Sequence, residues 1–247
     1  MPRRLFALLR VVALLMVIPT DGGCQMDSDL ADQSDELSRW KATELRTLPL
    51  AFRNDGFSTY FRKPPMTRET LETEYIDPLV GTNLRYLGWG VGPSSVLCYD
   101  SEVGTVFGRA ITEEQWASFR TGDRWVHENL ENIIAGGSDP LDIAVEHGHE
   151  HGLSVYARNQ MNHEYGPPSD DNFLWVGLVG EFNKRHPEYR IPGSTHLDFK
   201  YEAVRDFRLA VLREVAEKGV DSVMVDFTVY PPHFEEPDPA IGTQFIR

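Results

Sequence analysis

The stretch Gly219-Val-Asp-Ser-Val-Met-Val-Asp-Phe-Thr-Val-Tyr-Pro-Pro-His-Phe234 decides the fold of this chain. A long amphipathic helical pattern precedes it, and its short run of apolar β-forming residues predicts a strand that is covered on both faces. Asp226 closes the run, and Pro231 and Pro232 stop the strand just beyond it. Because a carboxylate within an apolar run is unfavourable unless it faces a polar cleft, we expect Asp226 at the carboxyl end of a parallel strand, where α/β barrels carry catalytic groups. The alternative is an aspartate that only caps the next loop.

Strand and helix patterns alternate along the chain from Phe52 onward. The four predicted strands are 57–61, 84–89, 153–157 and the strand that ends at Asp226, and residues 96–99 either extend the second strand or start another. The predicted helices are 68–80, 113–119, 125–135, 141–151 and 203–218. Gly152 and Gly219 end the last two helices as C′ residues. Short loops before strands and long loops after them predict a parallel sheet with right-handed crossovers, as in a (β/α) barrel.

The number of strand–helix units is small for a closed barrel. Residues 51–247 supply four units, and no helix is predicted after the Asp226 strand, whereas a complete barrel has eight units in about 250 residues. The predicted fold class is therefore α/β, TIM-barrel-like and incomplete, the N-terminal half of a barrel. Four strands cannot close a barrel, and they leave an open edge and an uncovered apolar face. We therefore expect a homo-oligomer or an aggregate, or a truncated product without independent activity.

The first 50 residues predict export. Residues 1–24 combine a basic start with an apolar stretch that is too short to span a membrane, which is typical of a signal peptide. Gly22-Gly23-Cys24 resembles, in part, a bacterial lipoprotein cleavage site with Cys24 as the lipidated residue, and ordinary cleavage nearby is the favoured alternative. Residues 25–50 are polar and acidic and are predicted to be a linker, which leaves 51–247 as the folded domain. The predicted location is periplasmic, cell-surface or extracellular, with membrane contact only through an N-terminal lipid.

Composition and motifs argue against several classes of function. A net charge of −14 leaves no basic stripe for nucleic acid. The two cysteines, Cys24 and Cys98, form neither a disulfide framework nor a metal-ligand pattern. Gly90-Val-Gly92 lacks the third glycine of a dinucleotide fingerprint, so no cofactor is predicted.

Three histidines lie together at one helix end: His147, His149 and His151. His147 and His151 are four residues apart and share a helix face, which is a spacing that holds metal ions. However, no HExxH motif is present, the helix end faces away from the predicted cleft, and a helix carboxyl terminus favours histidine through its dipole alone. We therefore predict no metal site.

Eight short segments occur in a fixed order between residues 57 and 234. They are Tyr75-Ile-Asp-Pro-Leu-Val-Gly-Thr82, Tyr99-Asp-Ser-Glu-Val-Gly104, Asp139-Pro-Leu141, His149-Glu-His-Gly-Leu153, Arg158-Asn-Gln-Met-Asn162, Lys184-Arg-His-Pro-Glu188, Val204-Arg-Asp-Phe-Arg-Leu209 and Val220-Asp-Ser-Val-Met-Val-Asp-Phe227. By their order and spacing the chain resembles the secreted bacterial glycoside-hydrolase-like (β/α)8 barrels. The resemblance implies a barrel fold and a carbohydrate substrate or ligand.

Two positions depart from the pattern of that family. Met224 stands where relatives carry a glutamate on the fourth strand, and His163 stands where they carry an aspartate after the third strand. Asp226, Asn159 and Asn162 match the pattern. The departures make a non-catalytic carbohydrate-binding pseudoenzyme the alternative to a glycoside hydrolase.

Glycoside hydrolysis requires two carboxyl groups, about 5–5.5 Å apart for retention or roughly 6.5–9.5 Å apart for inversion. Asp226 is the predicted base or nucleophile, with Glu164 or Asp100 as its acid partner. In the alternative, Asp226 only forms a hydrogen bond with a neighbour such as Asn159. The residues predicted to bind the carbohydrate are Arg158, Asn159, Asn162, His163, Trp89, Tyr99 and Tyr230, with Tyr165, Trp175 and Phe234 as further aromatic candidates.

Overall fold

The computed structural model describes residues 49–93, 95–228, 232–236 and 239–246, without the side chains of 244–246. Its strands are β1 (Leu50–Asn54), β2 (Leu84–Gly90), β3 (Val96–Leu97), β4 (Thr105–Val106), β5 (Ser154–Gln160) and β6 (Ser222–Asp226). The main sheet has the order β1-β2-β5-β6 and is parallel throughout, while β3 and β4 pair separately. The α/β class and the parallel sheet that the sequence predicts are therefore confirmed.

The described ranges contain eight α-helices. They are α1 (Arg68–Leu71), α2 (Glu113–Trp116), α3 (Thr121–Ala135), α4 (Pro140–Glu150), α5 (Phe173–Leu178), α6 (Glu181–Arg185), α7 (Glu202–Glu217) and α8 (Pro239–Ile246). A π-helical turn (Glu72–Ile76) and a 3-10 turn (Asp77–Leu79) extend α1, and two further 3-10 turns cover Ser58–Tyr60 and Pro187–Tyr189. None of the described helices is both long and apolar enough to cross a bilayer.

Local signals place the helices α4 and α7. The Asp139 carboxylate accepts the backbone N–H groups of Leu141 and Asp142 at the start of α4, at 2.7 and 3.3 Å, as an N-cap does. Gly152 and Gly219 have φ angles of 73° and 83°, which glycine adopts readily after a helix end. The predicted boundaries of α4 and α7 are confirmed to within one residue.

The beginning and the end of the sheet region differ from the prediction. The predicted strand at 57–61 is wrong, because this segment is a 3-10 turn and the first strand is β1. Asn54 Oδ1 accepts the N–H of Gly56 at 2.7 Å, and Asp55 Oδ1 accepts the N–H of Ser58 at 2.8 Å. These side chains bond to the local backbone and turn it away from an extended ladder. In addition, α8 follows β6, where no helix is predicted.

One face of the sheet packs against the helices. Alternate residues of the two central strands, Leu87 and Trp89 of β2 and Val155 and Ala157 of β5, are buried on this face. They join one hydrophobic core with apolar residues of the helices, among them Leu130, Ile133, Ala144, Val211 and Val215. The helices therefore pack against this face of the sheet.

The opposite face of the sheet is open over part of its area. By register it carries Tyr86, Arg158, Met224 and Asp226, and 45% of Tyr86 and 43% of Met224 are exposed. The prediction that the Asp226 strand is covered on both faces is wrong. β6 has one described neighbour, β5, and lies at the edge of the sheet, so an apolar sequence there is only partly buried.

Candidate functional site at the carboxyl edge of the sheet

The carboxylate of Asp226 is held by an ion pair across the open face. Arg158 Nε donates to Asp226 Oδ2 at 2.8 Å, and Nη2 of the same arginine donates to the same oxygen. The backbone N–H and the hydroxyl of Thr228 donate to Asp226 Oδ1 at 2.8 and 2.6 Å. Only 7% of Arg158 and 7% of Asp226 are exposed. All the oxygen atoms of this carboxylate therefore have donors, and the side chain has a single defined orientation.

This arrangement keeps Asp226 ionised. Burial raises the pKa of Asp226, but the hydrogen bonds from Thr228 and the charge of Arg158 act in the opposite direction and lower the pKa below its ordinary value. An ionised carboxylate can act as a base, as a nucleophile or as an acceptor for hydroxyl groups. It cannot supply the proton that a glycosidic leaving group requires.

Gln160 and His163 continue the site along the end of β5. Gln160 is paired in register with Asp226, and the Nδ1 atom of His163 lies 2.9 Å from Oε1 of Gln160. Burial, together with the charges of Arg158 and His196, lowers the pKa of His163 to about 4. The imidazole is therefore neutral at neutral pH and donates Nδ1–H to Gln160. The ring of Tyr165 lies 4.5 Å from that of His163, centroid to centroid, and provides an aromatic face at this edge.

The predicted carbohydrate-binding residues Asn159 and Asn162 have other positions. Asn162 Nδ2 donates to the carbonyl groups of Leu197 and Pro232 at 2.9 and 3.1 Å, and its Oδ1 accepts from Leu197 N at 3.0 Å. Asn162 thus ties two loops together. Asn159 pairs in register with Val225, on the helix-covered face, and its buried amide has no hydrogen-bond partner among the described residues. The partner of Asp226 is therefore Arg158 and not Asn159.

Glu164, one of the predicted acid partners, is fully buried. Arg208 Nη2 of α7 lies 2.9 Å from Glu164 Oε1, and the Ser95 hydroxyl donates to the same oxygen at 2.8 Å. The side chain of Glu164 has 0% and that of Arg208 has 1% of its surface exposed. A carboxylate in a fully buried ion pair holds the surrounding loops in place and is not accessible to a ligand. Arg208 could have been found from the sequence, because it lies four residues after Val204 on the apolar stripe of α7.

Three other predicted site residues lie away from the Asp226 carboxylate. The Asp100 carboxylate is exposed and forms an ion pair with Arg109 at 2.7 Å. Trp89 belongs to the main core, and so does Tyr99, whose hydroxyl donates to Glu214 Oε2 at 2.6 Å. Burial raises the pKa of Tyr99. The structure corrects the expectation for these two rings, because a side chain inside the core presents no ring face to a sugar.

Two of the residues predicted from the sequence, Tyr230 and Cys24, lie outside the described residues. An open cleft of about 450 Å³ lies beside β4 and α6, lined in part by Arg109, Glu181, Arg185 and Phe207. Neither Arg158 nor Asp226 lines it. This cleft and the strand-end ion pair are therefore separate features.

At the amino-terminal end of the strands, the structure separates the three histidines of α4. His149 Nε2 lies 2.9 Å from Asp221 Oδ2, whereas His147 and His151 both face Asp77. Within the described residues, Asp77, which the sequence does not single out, joins His147 and His151 in a group whose ligand atoms all lie within 4.8 Å of one another.

Comparison with known proteins adds no assignment. Neither a protein-family model nor a curated protein sequence matches the chain.

Proposed function

We propose that this chain is an exported, glycoside-hydrolase-like protein with a partial (β/α)-barrel architecture that binds a carbohydrate at the carboxyl edge of its sheet without hydrolysing it. Export is supported by the signal-peptide pattern of residues 1–24, and the carbohydrate by the ordered segments that resemble glycoside-hydrolase-like barrels. The observation that carries the proposal is the Arg158–Asp226 pair, which is fixed by four hydrogen bonds at a strand end.

The chemistry of this edge suits a neutral, hydroxyl-rich ligand. Sugar hydroxyl groups both donate and accept hydrogen bonds, and Arg158 and Asp226 place a cationic donor beside an anionic acceptor. Gln160 adds an amide, and the half-buried ring of Tyr165 adds an apolar face against which a sugar ring can stack. A binding site of this composition is polar at its centre and aromatic at its margin.

Binding without turnover follows from the state of the carboxyl groups. Asp226 has a lowered pKa, and Glu164 is committed to Arg208 inside the protein. Hydrolysis of a glycoside also needs an acid that protonates the leaving oxygen. Met224 lies on the same face as Asp226, two residues before it, and it is a thioether where relatives of the resembled family carry a carboxylate.

The test compares two aspartates of the same segment. Purified wild-type protein, Asp226→Asn and Asp221→Asn are titrated with a panel of soluble polysaccharides and oligosaccharides by isothermal calorimetry. We expect Asp226→Asn to weaken binding at least tenfold, or by about 1.4 kcal/mol, because the substitution removes the anion that holds the Arg158 guanidinium in place. Asp221 lies at the other end of the strand, so Asp221→Asn should bind like the wild type. Absence of binding to the whole panel, or equal affinities for all three proteins, would contradict the proposal.

Hydrolysis is the second candidate, and the ionised state of Asp226 favours it, because a nucleophile or base must be deprotonated. Long incubation of the wild-type protein with each bound glycan, followed by chromatography of the products, distinguishes the two functions. Products that disappear in Asp226→Asn and persist in Asp221→Asn would establish hydrolysis and exclude the non-hydrolytic proposal.

A further inference from the structure

Two histidines and an aspartate converge near the starts of β2 and β5. His147 and His151 come from the last turn of α4 and the residue after it, and Asp77 opens the 3-10 turn that precedes β2. His147 Nε2 lies 2.6 Å from Asp77 Oδ1, and His151 Nε2 lies 3.8 Å from the same oxygen. One ligand atom from each residue lies within 4.8 Å of the other two. Within the described part of the chain, this is the one group of three such side chains that meets this spacing.

The distances fit a small ion with nitrogen and oxygen ligands. Bonds of about 2.0–2.2 Å in a tetrahedral site place ligand atoms roughly 3.3–3.5 Å apart. The 3.8 Å separation between His151 and Asp77 is already close to that value. The 2.6 Å contact between His147 and Asp77 is a hydrogen bond, and it must open by less than about 1 Å for an ion to replace the shared proton. The two imidazole rings, whose centroids are 4.5 Å apart, lie on one helix face.

Two carboxylates lie behind the His147 ring, on the side away from Asp77. Nδ1 of His147 lies 3.6 Å from Glu150 Oε2 and 3.9 Å from Glu72 Oε1, while Arg68 Nε holds Glu72 Oε1 at 2.7 Å. A carboxylate near one imidazole nitrogen favours the tautomer whose other nitrogen is a metal ligand. Only 13% of the His147 side chain is exposed, so its orientation is set by packing as well as by charge.

We propose that His147, His151 and Asp77 bind a divalent transition-metal ion of the zinc class, with water completing the coordination. Two imidazoles and one carboxylate are ligands that zinc accepts, whereas calcium and magnesium require oxygen ligands. Asp77, Glu72 and Glu150 carry three negative charges against one positive charge on Arg68, so the neighbourhood favours a dication. The ion joins the carboxyl end of α4 to the turn before β2. It stabilises the folded state by an amount that increases with the zinc concentration relative to the Kd.

His149 provides a matched control on the same helix. It is 41% exposed and lies 2.9 Å from the Asp221 carboxylate, so like His147 and His151 it has an aspartate as its neighbour. It does not belong to the group of converging ligand atoms. A protein that binds zinc through scattered surface histidines would respond to the loss of His149 as much as to the loss of His151.

The experiment uses the full chain, produced without a polyhistidine tag and freed of metal by dialysis against a chelator. Zinc is titrated into wild type, His151→Gln, Asp77→Asn and His149→Ala by calorimetry, and the melting temperature is measured with and without zinc. Cobalt replaces zinc in parallel samples, because its visible spectrum reports the coordination number. Calcium and magnesium are titrated as well.

We expect one equivalent of zinc to bind the wild type and His149→Ala with the same Kd, and neither calcium nor magnesium to compete. His151→Gln and Asp77→Asn each remove a ligand. They should therefore weaken zinc binding by more than the roughly 10–100-fold loss of affinity that follows substitution of a residue hydrogen-bonded to a metal ligand. Zinc at about 100 times its Kd should raise the wild-type melting temperature by roughly 5–10 °C. The proposal is overturned if the wild type binds no zinc, or if His151→Gln and Asp77→Asn, folded by circular dichroism, retain the wild-type Kd.

Discussion

Both ends of the parallel sheet carry pairs of a basic and an acidic side chain, but the pairs are buried at one end and exposed at the other. At the carboxyl edge, Arg158 with Asp226 and Arg208 with Glu164 form ion pairs that are at most 8% exposed. At the amino edge, His149 and Asp221 are 41% and 47% exposed. Burial makes a charge pair obligatory, because neither partner can return to water, whereas exposed groups can exchange a partner for solvent or for an ion. Buried pairs therefore define the geometry of this fold, and exposed groups are available for exchange.

The largest change in stability is expected for the most deeply buried of these ion pairs, Arg208 with Glu164. Arg208→Met should lower the free energy of unfolding by about 3–5 kcal/mol, because it removes the guanidinium that forms the buried ion pair with the Glu164 carboxylate. Urea unfolding followed by tryptophan fluorescence measures the change. Arg185→Met is the control: Arg185 lies 3.4 Å from Glu181 and is 74% exposed, so its loss should cost less than about 1 kcal/mol.

The double variant Arg208→Met with Glu164→Met identifies the cause. If the loss comes from an uncompensated buried charge, removal of the second charge should restore part of the stability. A double variant that is as unstable as the sum of the single changes would show that packing, rather than charge, accounts for the effect.

Asp226 should show its contribution in the pH dependence of stability. The pKa of Asp226 is lowered in the folded state, so its stabilising contribution is present above the unfolded-state value of about 3.9 and is lost as the pH falls through the folded-state value. Asp226→Asn should reduce the free energy of unfolding by roughly 1.5–3 kcal/mol at pH 7, as expected for hydrogen bonds to a charged group. The difference from wild type should shrink as the pH is lowered toward about 3.

Urea unfolding between pH 3 and pH 7 measures this difference. Asp221→Asn is the matched comparison: its pKa is also lowered, by the hydrogen bond from His149 and then by that from the backbone of Val155, but the group is exposed. A pH dependence that changes as much in Asp221→Asn as in Asp226→Asn would contradict the contrast between the two edges.

The elements that could be predicted from the sequence are those with local signals. The N-cap Asp139 and the glycines Gly152 and Gly219 mark the ends of α4 and α7, and the apolar run up to Asp226 marks β6. The strand at 57–61 could not be judged correctly, because the side chains of Asn54 and Asp55 bond to a backbone that is otherwise suited to an extended conformation.

The site was only partly predictable, because its contacts join residues that are far apart in the chain. The position of Asp226 at a strand end is local information, but its pairing with Arg158, rather than with Asn159, depends on which face of β5 each residue occupies. The contact between Asp77 and His147 spans 70 residues. The helical spacing indicates that His147 and His151 share a helix face. It does not indicate that the turn beginning at Asp77 lies next to that face.

A smaller effect is expected at the amino end of α4. Asp139→Ala removes the carboxylate that caps the helix and that also accepts the Asp100 N–H at 2.7 Å. The expected loss in the free energy of unfolding is about 1 kcal/mol, within the usual range of roughly 0.5–2 kcal/mol for an N-cap. Asp139→Asn keeps an acceptor oxygen and should lose less. Equal losses for the two variants would show that the negative charge, which also faces Lys218 at 3.3 Å, is the important property.

The smallest effect is expected from His149→Ala, at the other end of the same helix. His149 interacts with Asp221 in a solvent-exposed pair, and such pairs contribute about 0.2–1 kcal/mol. Asp221→Asn should lower the free energy of unfolding more than His149→Ala. The reason is that Asp221 Oδ2 also accepts the Val155 N–H of β5 at 2.7 Å, and this hydrogen bond remains when the histidine is removed. A double-mutant cycle of the two changes at pH 6, measured by urea unfolding, gives their coupling free energy directly. A coupling above about 2 kcal/mol would exceed the range of exposed pairs, and the amino edge would then be as rigidly paired as the carboxyl edge.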